Sequence, residues 1–162
     1  MNTKPESLYE KSLEVLNDLF GKDTQFALAT SQDNQPFVRF VDVYYFDGSF
    51  YLITYATSKK VVDIMANPHV ALVSHRLHRF MGEATNIGHP LKPENALIRE
   101  KLVQAFEKWY FLANNEKDPH TCLIQVKLHE GFFYKDEVGY KVDFINKTAA
   151  SFPFHFDITI LD

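Results

Sequence analysis

The sequence predicts a mainly β fold of the α+β class, an antiparallel barrel that is closed or nearly closed, with short helices at its flanks. Many short runs rich in aromatic and β-branched residues are separated by turn signals, and few helical patterns interrupt them. Aromatic residues make up 15% of the chain, with 15 Phe and 8 Tyr, which suits packed pleated sheets. A length of 162 residues indicates one domain, residues 1–162, able to bury a core without disulfides.

The first half of the chain begins with a helix and continues as strands. Leucine and aromatic residues recur at helical spacing over 6–20, and Gly21 is a plausible stop, so 1–21 forms an N-terminal helical segment. Asp47-Gly48 is a strong hairpin signal, and 26–55 reads as a three-stranded meander. Residues 26–87 are expected to form the core of the barrel. The strands predicted there are 26–30, 37–46, 50–55, 69–74 and 80–87.

The second half of the chain is predicted to add one long helix and the strands that close the barrel. A short helix over 58–66 precedes it, and Pro90 and Pro93 bracket a turn before a helix at 94–113. Closing strands are expected within 120–162, because apolar residues recur there at every second position. These strands are predicted at 121–128, 131–134, 138–144 and 154–160.

Functional side chains concentrate where the strand ending at Tyr55 gives way to the helix that begins near Ser58. Helix N-termini expose unpaired N–H groups and the positive end of the helix dipole, which together favour phosphate. Ser58 is placed as an N-cap or a direct donor, and Lys59 and Lys60 add cations. Pairing about the hairpin should bring Arg39 to the same corner, where a guanidinium can grip phosphate oxygens. The alternative is a capped helix with solvated charges, and spacing alone leaves both interpretations open.

The order of motifs in this region resembles the pyridoxamine 5′-phosphate oxidase-like family. The matching segments are Arg39-Phe40-Val41, Asp47-Gly48-Ser49-Phe50-Tyr51-Leu52-Ile53-Thr54, Ser58-Lys59-Lys60, Asn67-Pro68-His69-Val70-Ala71-Leu72 and Phe80-Met81-Gly82-Glu83-Ala84. The resemblance is specific over 26–87 and loose beyond. It implies an FMN-binding split β-barrel and a homodimer with flavin at the interface.

The resemblance also implies roles for particular residues of this chain. Arg39, Ser58, Lys59 and Lys60 would hold the FMN phosphate. The strand residues Phe40, Val41 and Asp42 would present backbone groups to the flavin ring, with their side chains as further candidates, while Ile53 and Thr54 would line the cofactor. Lys59 stands where relatives often carry arginine, so a bidentate contact becomes a point charge. Catalytic residues are not identified by the sequence.

The chain departs from true pyridoxamine-phosphate oxidases at its C-terminal end. Those enzymes carry a substrate-binding Arg-x-His stretch, whereas no arginine follows Arg99 here. The expected function is therefore an FMN-dependent oxidoreductase acting on a small molecule other than vitamin B6. The alternatives are a flavin-binding module without turnover and a haem-binding or haem-degrading relative. Trp109 or Tyr110 could reach a partner's flavin, although a core role on the helix is the simpler interpretation.

Other candidate groups carry weaker signals. His75 and His78 could suggest haem or a metal, but residues three apart on a strand face opposite sides, so no metal site is predicted. Cys122 lies in an apolar strand and is expected to be a small core residue.

The charge and the distribution of apolar residues bear on location and partners. The net charge of −4 gives no electrostatic footprint for nucleic acid. No apolar run approaches the length needed to span a membrane. A single cysteine rules out an intrachain disulfide and fits a reducing cytoplasm, so a cytoplasmic protein is expected.

Overall fold

The computed structural model describes residues 6–156. Its helices are α1 (Leu8–Phe20), α2 (Lys59–Ala66), a 3₁₀ turn (Pro93–Asn95), α3 (Ala96–Ala105) and α4 (Tyr110–Ala113). Its strands are β1 (Thr24–Gln32), β2 (Gln35–Phe46), β3 (Ser49–Tyr55), β4 (His69–Val73), β5 (Arg79–Gly88), β6 (Thr121–Lys135), β7 (Val138–Asp143) and β8 (Thr148–Pro153). No helix within residues 6–156 has the length and apolar character needed to cross a membrane.

Six of the strands form a closed antiparallel barrel in the order β3-β2-β1-β4-β5-β6, because β3 also pairs with β6. Strands β7 and β8 extend the sheet beyond β6 as an antiparallel edge. The predicted mainly β fold with flanking short helices is confirmed. The hairpin at Asp47-Gly48 is also confirmed, and both residues adopt positive φ (45° and 77°), as a tight two-residue turn requires.

Alternation along the strands places every second side chain inside the barrel. A compact group of rings, with Phe26, Phe50 and Phe80 at its centre, packs edge to face with centroids 5.1–5.9 Å apart. Helix α1 closes one side of this core through Leu16 and Phe20. Helix α2 contributes Val61 and Ile64 to the same core and contacts β1 and β5. The core therefore fixes α2 against the barrel, which matters for the site at its N-terminus.

The predicted continuous helix at 94–113 is wrong, since the segment breaks between α3 and α4. Leu102, Phe106 and Tyr110 are buried together with Leu123, and their spacing of four residues would also suit an unbroken helix. Trp109 leaves helical geometry (φ −138°), and its ring stacks on Phe106 at 4.5 Å. Its indole N–H also donates to the Asp23 carboxylate at 2.7 Å, so the break coincides with tertiary contacts of Trp109 that the local helical pattern does not encode.

Two further strand predictions need correction. The strands predicted at 121–128 and 131–134 are one 15-residue strand, β6. Its pairing with β5 is irregular at His129, because Gly82 pairs with Leu128 and Met81 with Glu130. The described part of the strand predicted at 154–160 follows β8 and is not a strand, and the rest lies outside the described residues. The strand that does form, β8, is mostly exposed and so lacks the alternating apolar pattern on which the prediction relied.

Candidate functional site

A gap opens between β2 and β3 beyond their shared hairpin. Their pairing covers only Tyr44–Phe46 and Ser49–Tyr51, after which β2 continues along β1 and β3 continues along β6. Within the described residues, β2 before Tyr44 and β3 after Tyr51 therefore have no strand partner across this gap. Backbone N–H and C=O groups on such open edges need other hydrogen-bond partners, so the gap offers a ready set of donors and acceptors.

The residues predicted to bind a cofactor lie along both edges of this gap but on different faces. On β2, Val41 faces the core and is buried, while Phe40 faces outward with 71% of its surface exposed. Asp42 shares the outward face and is half-buried, and burial followed by the charge of Asp23 raises its pKa. Because Val41 is enclosed by the core, only its backbone can meet a ligand in the gap.

The opposite edge contributes two side chains of different character. Ile53 is half-buried beside the aromatic cluster of α3 and α4. Thr54 faces the barrel interior and accepts a hydrogen bond from Lys60 Nζ at 3.1 Å. Burial, and then the nearby charge of Arg39, lowers the pKa of Lys60. This ammonium therefore lies close to the guanidinium of Arg39, as the sequence predicted, and a bound anion would relieve their repulsion.

The N-terminus of α2 presents donors that lack acceptors. Ser58 occupies the N-cap position, yet its side chain makes no capping bond, and its hydroxyl oxygen is buried without a hydrogen-bond partner. The amide N–H groups of Lys59 and Lys60 begin the helix and bond to no described residue. Buried polar atoms are nearly always satisfied in proteins. An unsatisfied hydroxyl beside free N–H groups and cations is a suitable setting for an anion.

The route by which Arg39 reaches the corner differs from the predicted one. Pairing between β2 and β3 was expected to carry it there, but that pairing stops at Tyr44. Instead, Arg39 Nη2 contacts the α2 residue Asp63 at 3.3 Å, and Nη1 donates to Thr30 Oγ1 at 2.6 Å. Arg39 is therefore held beside α2 by its ion pair with the Asp63 carboxylate.

Asp63 is the residue at this site that sequence reasoning missed. Its side chain is completely buried and contacts the ammonium of Lys59 as well as Arg39. Burial alone would raise the pKa of this carboxyl, but hydrogen bonds from Lys59 and Thr30, together with the charge of Lys59 and a hydrogen bond from Arg39, outweigh it and lower the pKa. A signal existed in the sequence, since an acidic residue interrupts the apolar side of α2 four positions after Lys59.

The corner as a whole fits a phosphate group. Ser58 Oγ and two amide N–H groups are unpartnered. Lys59 and Lys60 belong to the same helical turn, and Arg39 contacts Asp63 one turn further along α2.

Cys122 lies opposite Thr54 on β6. Burial raises the pKa of its thiol to about 11, so the thiol stays protonated near neutral pH. As expected, Cys122 is a small core residue.

The two histidines considered for haem or a metal lie in different environments. His75 is exposed, whereas His78 is buried at 6% exposure and stacks on Tyr134 with centroids 4.5 Å apart. Burial lowers the pKa of His78 to about 4. Among residues 6–156, no cluster of three or more metal-ligating side chains is found. Tyr110, one of the two residues considered for contact with a partner's flavin, is fully buried.

An apolar groove of about 800 Å³ runs along the outer face of the sheet. Small side chains such as Ala27, Ala29 and Ala71 line it, and Val38 and Met81 are exposed beside them. Exposed apolar patches of this kind mark surfaces for partners or ligands. The groove is lined by residues of β1, β4, β5, β6, β7 and β8 and by Val38 of β2, and none of Ser58, Lys59 and Lys60 is among them.

The fold is a split β-barrel with unpartnered donors and cations near the N-terminus of a helix. The chain belongs to the pyridoxamine 5′-phosphate oxidase family, whose family model matches residues 13–135. Comparison with curated proteins gives no match.

Solved structures share the fold at low sequence identity. A NimC/NimA family protein from Clostridium acetobutylicum is 20% identical with a TM-score of 0.57, covering 90% of this chain and 96% of that one. A pyridoxamine 5′-phosphate oxidase-related, FMN-binding protein from Nostoc punctiforme is 13% identical with a TM-score of 0.53, covering 93% and 98%. The haem storage protein HutZ from Vibrio cholerae is 11% identical with a TM-score of 0.60, covering 78% and 94%.

Proposed function

We propose that this chain binds FMN, with the phosphate at the N-terminus of α2 and the flavin ring along the gap between β2 and β3. The observation that carries the proposal is the buried, unpartnered hydroxyl of Ser58 beside the free N–H groups of Lys59 and Lys60. Anions bind readily at such helix termini. The family, together with a structural neighbour described as FMN-binding, supports flavin as the ligand that brings the phosphate.

The phosphate would be held by Ser58, the two amides and the side chains of Arg39, Lys59 and Lys60. A phosphate monoester carries a charge of about −1.5 to −2 near neutral pH, which the cations complement. Along the gap, the open edge of β2 at Phe40, Val41 and Asp42 would supply backbone donors and acceptors to the polar edge of the ring. Ile53 and Thr54 would line the opposite side.

The proposed activity is oxidation or reduction of a small molecule. Bound FMN supplies hydride and electron transfer, and the protein supplies position and electrostatics. Because no arginine follows Arg99, the proposal does not extend to vitamin B6 oxidation. A flavin-binding module without turnover is the second candidate, because the sequence identifies no catalytic residue.

The proposal includes a homodimer with the flavin at the interface. The exposed apolar side chains Val38, Phe40 and Met81, together with the apolar groove, support a surface that a second copy covers. The solution mass of the purified protein tests this part independently of the cofactor.

The experiment for the proposed function is a visible absorption spectrum of the purified protein, before and after incubation with FMN and gel filtration. A retained flavin spectrum supports the proposal, and a protein that stays colourless after incubation contradicts it.

Addition of NADH or NADPH under anaerobic conditions then separates the two candidates. Bleaching of the flavin followed by its return with an added acceptor supports an oxidoreductase, and flavin that no donor reduces favours the binding module. Titration with haem, compared with a variant lacking His75 and His78, tests the haem alternative.

A further inference from the structure

Asp63 lies beneath the corner and connects three of its side chains. Its carboxylate accepts from Thr30 Oγ1 at 2.8 Å and from Arg39 Nη2 at 3.3 Å, and it also contacts the ammonium of Lys59. The side chain is 0% exposed, while the side chains of Arg39 and Lys59 are 22% and 51% exposed. The carboxylate is therefore internal, and the cations it holds reach toward solvent.

A buried carboxylate is costly unless it is paired and hydrogen-bonded. Asp63 meets both conditions through two cations and a hydroxyl. The same contacts restrict the rotamers of the Arg39 and Lys59 side chains before any ligand binds. Long basic side chains that are unrestricted lose considerable rotamer freedom when they bind a ligand. Holding them in place beforehand lowers that cost.

The cations retain donors for a ligand after these contacts are made. A guanidinium has five N–H donors and an ammonium has three. Arg39 Nη1 donates to Thr30 and makes longer contacts with the carbonyls of Leu28 and Phe37, and its Nη2 donates to Asp63. Lys59 contacts Asp63 and, at 3.4 Å, Gln32 Oε1. Each cation therefore keeps at least one N–H group.

The charge balance of the corner also depends on Asp63. With Arg39, Lys59 and Lys60 charged and Asp63 ionised, the net charge is +2. A phosphate monoester carries close to the same charge with opposite sign. Without the carboxylate, the three cations would repel one another. Part of the binding free energy of the ligand would then be needed to bring their side chains together.

We propose that Asp63 is a positioning residue for phosphate, which holds Arg39 and Lys59 in the arrangement that grips the phosphate of the cofactor. The inference rests on the proposed function and extends it to a residue that makes no contact with the ligand. Thr30 belongs to the same arrangement, because its hydroxyl accepts from Arg39 and donates to Asp63.

The test compares Asp63→Asn with the wild type for three probes: FMN, riboflavin and inorganic phosphate. Riboflavin lacks the phosphate and reports on the ring site alone. We expect the Kd for FMN to rise at least about ten-fold, as for loss of one charge-assisted interaction, while the Kd for riboflavin changes by less than about two-fold. Asp18→Asn is the matched control, because it removes a carboxylate from a surface ion pair with Lys135, and it should leave all three affinities unchanged.

Two outcomes would overturn the inference. If FMN binds Asp63→Asn as tightly as the wild type, or more tightly, the carboxylate does not position the cations. If FMN and riboflavin weaken equally, Asp63 only maintains the fold. Should Asp63→Asn fail to fold, Thr30→Val removes the bridging hydroxyl with little change of shape and should weaken FMN binding. Thr30→Ser keeps the hydroxyl and should bind FMN as the wild type does.

Inorganic phosphate separates this inference from the proposed function. If the wild type binds phosphate but neither flavin, the proposed function fails, and the inference stands only if Asp63→Asn weakens phosphate binding. If the wild type binds neither FMN nor phosphate, both are wrong.

Discussion

Lys60 Nζ donates a 3.1 Å hydrogen bond to Thr54 Oγ1, which joins the first turn of α2 to the end of β3. The bond crosses the point where the β2–β3 gap meets the corner. Because burial has already lowered the pKa of Lys60, its ammonium has lost some of its hydration and should interact strongly with an anion. This residue therefore offers the sharpest single substitution at the corner.

Lys60→Met should weaken FMN binding without removing the apolar stem of the side chain. A hydrogen bond to a charged group contributes about 1.5–3 kcal/mol, so the Kd should rise about 10- to 100-fold. Equilibrium titration followed by flavin fluorescence measures the change. Lys108→Met, at an exposed position, should bind FMN like the wild type, and an equal effect of both substitutions would mean that only overall charge matters.

Ser58→Ala should separate ligand binding from stability. The hydroxyl makes no hydrogen bond in the free protein, so its loss should change the free energy of unfolding by less than about 0.5 kcal/mol, while the Kd for FMN rises about 5- to 10-fold. Ser7 is the matched comparison, since its hydroxyl caps α1 through Glu10. Ser7→Ala should cost about 1 kcal/mol of stability and leave FMN affinity unchanged. Urea unfolding and FMN titration of both variants provide the measurements, and a large loss of stability in Ser58→Ala would contradict the account.

Gly82→Ala should destabilise the barrel. A methyl group at this position would overlap the backbone carbonyl of Lys127 on β6, at the irregularity in the β5–β6 pairing. Backbone cannot move aside as a side chain can, so a loss of at least about 2–3 kcal/mol is expected. Chemical denaturation checks this, with Glu83→Ala on the same strand as control. If Gly82→Ala were as stable as the control, the close approach of the two strands would be disproved.

Much of this barrel could be predicted from local sequence signals. The Asp47-Gly48 hairpin and the order of strands from Phe26 to Ile87 follow from alternation and turn chemistry, and the structure confirms them. The break between α3 and α4 could not be predicted in this way, because Leu102, Phe106 and Tyr110 keep helical spacing across it. Only the fold shows that Trp109 leaves helical geometry and contacts Asp23. Strand β8 was not predicted, because an exposed edge strand need not alternate apolar and polar residues.

The site shows a similar division. Ser58, Lys59, Lys60 and Arg39 come together as the motif pattern predicts. Asp63 did not stand out, because a carboxylate on a short helix is usually solvated, and only the fold shows that this one faces inward. The open edge of β2 could not be predicted either. Extending the hairpin register along both strands predicts pairing over their whole length, whereas the observed pairing ends at Tyr44 and Tyr51.

His78 should make the stability of the protein depend on mildly acidic pH. Burial, with the charges of Arg76 and His75, lowers its pKa from 6.5 to about 4. As the pH falls below 6.5, the unfolded chain takes up a proton that the folded protein resists, so this contribution to stability is complete above pH 6.5 and is lost towards pH 4. The loss should reach at most about 3 kcal/mol.

Urea unfolding at several pH values between 7.5 and 4.5 measures this dependence. His78→Phe keeps an aromatic ring between Tyr134 and Phe20 and should flatten the profile in that range. His75→Phe, at an exposed position, should keep the slope of the wild type. A His78→Phe profile as steep as the wild-type profile would show that other groups control the acid response.

The central claim is that the corner at α2 binds the phosphate of FMN. The most direct measurement is parallel equilibrium titration of the wild-type protein with FMN and with riboflavin, which differ only in that phosphate. The account predicts saturable binding of FMN with a Kd at least about 100-fold lower than that of riboflavin, as two or more charge-assisted contacts would give. Equal affinities for the two flavins, or no saturable binding of FMN, would contradict it.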